Sequence, residues 1–139
     1  MKIPTTLLLS LAVVLSCLAG AEAKTGPSWE YERATIYFVP WEMLTRSNLS
    51  IADVRNTAWV VIHINNPDYA SRFAKWLNLD ELKNAAVPVE TDKRLVIDLV
   101  RQGGTLETYY ANKSALISSD STRSRAIDEE FLRRFEIVR

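Results

Sequence analysis

Two adjacent glycines, Gly103-Gly104, separate two runs rich in β-branched and aromatic side chains, residues 93–101 and 106–111. A tight turn between antiparallel strands needs positive φ at its centre, which glycine adopts without steric cost. Gln102-Gly103-Gly104-Thr105 therefore predicts a β-hairpin and, with it, an antiparallel sheet. A two-residue loop sets Gln102 opposite Thr105, Val100 opposite Glu107 and Asp98 opposite Tyr109. On that register Leu95, Ile97 and Leu99 share an apolar face with Leu106 and Tyr110. Val96, Asp98 and Val100 then share the other face with Glu107 and Tyr109.

The remaining elements follow from local chemistry. Residues 34–39 (ATIYFV) read as a strand that stops at Pro40, and residues 59–64 (WVVIHI) as a second. Alternation along the second turns Val60, Ile62 and Ile64 inward and Trp59, Val61 and His63 outward. Ser50-Ile51-Ala52-Asp53 has the form of a capping box opening a short helix. Asn66 and Pro67 open another, running to about Asn78 and burying Tyr69, Phe73, Trp76 and Leu77. A helical turn within residues 79–86 ends at Pro88, and residues 115–118 form a short strand. A last helix is predicted from about Ser124 to Phe135, with Ile127, Phe131 and Phe135 inward and Glu129–Arg133 and Glu130–Arg134 pairs outward. The order β-α-β-α-β-β-β-α predicts an α+β fold, a single mostly antiparallel sheet with helices packed on one face. A ferredoxin-like split arrangement is one way to build it.

The N-terminus reads as a secretory leader over residues 1–23, followed by one globular domain over residues 24–139. Lys2 supplies the positive n-region, residues 7–18 an apolar stretch too short to span a bilayer, and Ala21-Glu22-Ala23 a cleavage site before Lys24. Val14-Leu15-Ser16-Cys17 partly resembles a bacterial lipoprotein box, but Leu15 departs from the pattern, so a lipid anchor at Cys17 is the minor alternative. Cys17 is the single cysteine. The exported domain is thus disulfide-free and must rely on its core. The formal net charge is zero, and loss of Lys2 and Glu22 with the leader preserves that balance. Such a surface gives no electrostatic reason to expect nucleic acid as a partner. No transmembrane segment is expected.

Few residues announce chemistry. His63 is the only histidine and lies in an apolar strand without the further ligands that a metal site needs, so it reads as structural. No G-x-S-x-G elbow or phosphate loop occurs, and no metal or cofactor is expected. The polar run Ser118-Ser119-Asp120-Ser121-Thr122-Arg123-Ser124-Arg125 reads as the capping start of the last helix, with anion binding as its alternative. Asp98 and Glu107 become diagonal neighbours in the predicted hairpin, about 7–8 Å apart, a spacing that an acid–base pair can use but that a solvated face also tolerates. The leading expectation is a small exported, periplasmic binding protein without catalysis, whose partner is another protein: an inhibitor or immunity type. Its binding face carries Trp59, His63, Asp98, Glu107 and Tyr109. An envelope glycan hydrolase using Asp98 and Glu107 and a structural envelope component are the alternatives.

Overall fold

A computed structural model describes residues 29–135; the expected leader, its expected cleavage site and Cys17 lie outside the described residues. In chain order it builds β1 (Tyr31–Phe38), α1 (Ile51–Thr57), β2 (Val60–Ile64), α2 (Pro67–Trp76), a 3-10 turn (Leu79–Glu81) and β3 (Lys83–Asn84). After these come β4 (Leu95–Arg101), β5 (Leu106–Ala111), β6 (Ala115–Ser118), β7 (Arg123–Ala126) and α3 (Glu129–Arg134). The seven strands form one antiparallel sheet in the order β2-β1-β4-β5-β6-β7-β3. This is an α+β fold. Its β1 and β2 are direct neighbours, whereas a split βαβ arrangement would insert a strand between them.

The glycines make the turn, but with a loop one residue longer than a two-residue hairpin. Arg101 N–H donates to Thr105 C=O at 2.8 Å, so these two residues close the ladder around Gln102, Gly103 and Gly104. A one-residue change of register exchanges the faces of a whole strand. Leu99 therefore faces Glu107, Ile97 faces Tyr109 and Leu95 faces Ala111, while Asp98 faces Thr108 and Val96 faces Tyr110. The expected grouping of Leu106 and Tyr110 with Leu95, Ile97 and Leu99 is reversed.

Helices cover both faces, not one. Against the first face pack α2 and α3, enclosing Ala34, Ile36, Phe38, Leu95, Ile97, Leu99, Ala111 and Leu116. Ala70 and Ala74 form the buried stripe of α2, continued by its C-cap Leu77, and the small alanines let the helix lie close to the sheet. Tyr69, expected on that stripe, is exposed. Trp76 stacks on Phe131 of α3 at a ring separation of 5.2 Å, and Phe73 and Phe135 complete the cluster. The second face is covered only in part: Val54 of α1, Val39 and, more loosely, Leu49, Ile51 and Val87 close over Val96, Tyr110 and Ile117. Lys93 is buried there, donating to the Val89 and Thr91 carbonyls with its ammonium 4.5 Å from the Tyr110 ring centre.

Caps fall where expected at Ser50, whose hydroxyl and partner Asp53 form a reciprocal box, and at Asn66. The last helix is shorter than expected. Residues 123–126 are instead β7, held between β6 and β3, and Asp128 caps α3. The polar run before it is a hairpin turn, not a helix start: Ser118 and Thr122 donate to Asp120, pulling its carboxyl down to about 2. Arg125 reaches from β7 to the Leu77 carbonyl at the C-terminus of α2, at 2.6 and 3.0 Å.

Both loop glycines hold positive φ, +99° at Gly103 and +94° at Gly104, and nothing lies within 4 Å of a Cβ built at either. A side chain there meets torsional strain alone. We expect Gly104→Ala to cost about 1–2 kcal/mol, read as a lower urea midpoint with an unchanged slope. An unchanged midpoint would contradict the turn geometry.

Candidate functional site

The register sorts the five candidate binding residues into two separate places. Cross-strand pairing aligns His63, Thr35, Asp98 and Thr108 in one row across β2, β1, β4 and β5 on the second face. The adjacent row runs Val61, Tyr37, Val96 and Tyr110. Because α1 covers only the middle of this face, its β2 side stays open: Val61 is 44% exposed, and Trp59, in the bend just before β2, is 64% exposed. His63 is also exposed, its Nδ1 3.4 Å from the Thr35 hydroxyl.

Asp98 closes the inner end of this strip. Arg55 reaches down from the last turn of α1 and donates through Nε and Nη2 to its two oxygens, at 3.1 and 2.6 Å. The Thr108 hydroxyl donates to the same carboxylate at 2.7 Å. This bidentate clamp neutralises Asp98 and pins α1 to the sheet.

Glu107 and Tyr109 lie on the opposite, helix-covered face. Tyr109 is only 6% exposed, so its placement on an open binding face is corrected. Glu107 accepts the Tyr31 hydroxyl at 2.9 Å, the Tyr109 hydroxyl at 3.3 Å and the Arg101 guanidinium, which also donates to Glu30 at 2.9 Å. Burial alone would raise the Glu107 carboxyl, but Arg101 and the two hydroxyls outweigh it and hold it below its ordinary range. Tyr31 is pushed above its ordinary value by burial and by the neighbouring Glu107 carboxylate.

Asp98 and Glu107 thus share neither a face nor a partner. Their diagonal pairing needed the two-residue loop, and without it the acid–base geometry does not form. No helix among the described residues is long and apolar enough to cross a membrane, and none of their His, Asp and Glu residues cluster in threes around a metal-sized site. Compared with known proteins, the chain matches no family model, no curated protein and no solved structure. The clamp residues were not legible in the sequence: Arg55 meets Asp98 only through the tertiary fold, and Arg101 meets Glu107 only with the three-residue loop register.

A carboxylate held below its ordinary range stabilises the fold above its unfolded value and loses that contribution as pH falls through the folded one. We expect Glu107→Gln to be about 1–2 kcal/mol less stable than wild type at pH 7. The gap should begin to narrow as pH falls through about 4.3, the ordinary value of an unfolded glutamate, and close below the lower folded value, where both states bind the proton. Thermal unfolding of both proteins as pH is lowered from 7 checks it, and a gap that does not narrow below about pH 4 contradicts the assignment.

Proposed function

We propose that this chain is a small exported binding protein whose partner is another protein, engaged through the open β2 side of the second sheet face. The observation that carries the reading is the exposure of Val61 and His63 on β2 and of Trp59 just before it, a surface that no helix among the described residues covers. Aromatic and aliphatic side chains rimmed by polar ones are the composition of a protein-binding patch, and a merely solvated face would carry Lys, Glu and Thr instead. The clamps on Asp98 and Glu107 support a non-catalytic role, because each carboxylate is held by an arginine and hydroxyls and is not poised toward open space. The balanced net charge favours a protein over nucleic acid. Export, with a periplasmic inhibitor or immunity type as the narrower form, rests on the leader-like residues 1–23 and the small size of the domain after them.

Affinity capture from an envelope extract of the source cells tests the reading. We expect wild type to retain a stoichiometric protein partner, and Trp59→Ala with Val61→Ala to weaken retention at least about tenfold, as loss of central anchors does. Its melting temperature should stay within about 3 °C of wild type, since Trp59 is mostly in solvent and Val61 nearly half so. Equal retention by the variant would refute the site, and a large fall in melting temperature would place these residues in a core.

A further inference from the structure

The two edges of the sheet are built differently. At one end β3 has two residues, one of them Lys83, which is how edges are ordinarily protected from pairing with another chain. At the other end β2 has five, Val60-Val61-Ile62-His63-Ile64, with no proline and no formally charged side chain at neutral pH. Its pairing with β1 is regular, without a bulge to twist the edge away. Val61 and Ile62 point to opposite faces and are 44% and 43% exposed, so neither side of the strand is closed. Among the described residues, β2 pairs only with β1, and no other backbone hydrogen bond reaches it. Alternate N–H and C=O groups along it face outward without a partner.

The geometry points to a second copy of this chain as the occupant of that edge, its β2 pairing antiparallel with β2. Electrostatic self-complementarity favours a copy. A strand without charge meets itself without like-charge repulsion, and it offers no charge by which an acidic or basic peptide would be preferred. One isologous contact also removes the open edge of both copies and leaves only the protected β3 ends. A two-fold axis normal to the sheet keeps the odd-numbered side chains together. Val61 and His63 of both copies then join into one face continuous across the interface, with Trp59 in the bend before each strand. That shared face rests on the binding reading above, while the strand pairing stands on the edge alone.

Sedimentation equilibrium of the purified protein, with hydrogen exchange at the same concentrations, tests it. A five-residue strand pair is smaller than a standard interface, so dimer should appear between about 10 and 500 µM. Exchange at the β2 amides should slow as it does. Ile62→Lys, which alters the face opposite Trp59, should leave a folded monomer throughout that range, and one of Val61→Cys, Ile62→Cys or His63→Cys should form an intermolecular disulfide under mild oxidation. A wild-type monomer at 500 µM overturns the inference, as does a dimer that survives Ile62→Lys with unprotected β2 amides. Protection of β2 only by an added extract protein would also overturn self-pairing while upholding the protein-binding reading. Loss of partner capture in Trp59→Ala/Val61→Ala is independent of either result.

Discussion

The register of the β4–β5 hairpin decides what each face of this sheet can be. It is set by the Arg101–Thr105 closing bond around three loop residues, two of which hold positive φ. With that count, Glu107 and Tyr109 join Leu99 and Ile97 under the helices, and Asp98 and Thr108 turn to the other side. Each carboxylate then meets its own arginine. Arg101 reaches Glu107 from the same hairpin, and Arg55 reaches Asp98 from α1. One residue fewer in the loop would exchange these neighbourhoods and strand both carboxylates.

Coverage of the two faces follows from helix length and composition. The ten residues of α2, joined by α3 through the Trp76–Phe131 stack, span the first face from β1 outward. The second face has only the seven residues of α1 and the segments carrying Val39, Leu49 and Val87, enough to bury Val96, Tyr110 and Ile117. These contacts stop short of β2. Its open face and its unpaired edge therefore share one origin, the position of β2 at the end of the sheet beyond the reach of α1.

Local chemistry made much of the fold legible. The Ser50 and Asn66 caps, the strand at residues 106–111 and the strand at residues 115–118 all depend on neighbours in sequence, and they stand where expected. The exposure of Trp59, Val61 and His63 agrees with the expected outward turn, but Ile62, expected inward, is 43% exposed because β2 lies at the sheet edge. What failed depended on distant partners. Arg123-Ser124-Arg125-Ala126 has no apolar pattern and becomes a strand because β6 and β3 flank it. Tyr109 could be assigned to a face only with the loop length known. Tyr69 lies beside the buried stripe of α2 because the alanines, not the larger side chains, meet the sheet.

Asp98 and Glu107 belong to separate clusters on opposite faces, each carboxylate held by its own arginine and hydroxyls. A double-mutant cycle with Asp98→Asn and Glu107→Gln measures this separation directly through unfolding free energies in urea. Independent sites add to within about 0.5 kcal/mol. We expect the two losses to add within that limit. A coupling above about 1 kcal/mol would mean that the two carboxylates act as one unit, and would contradict their separation.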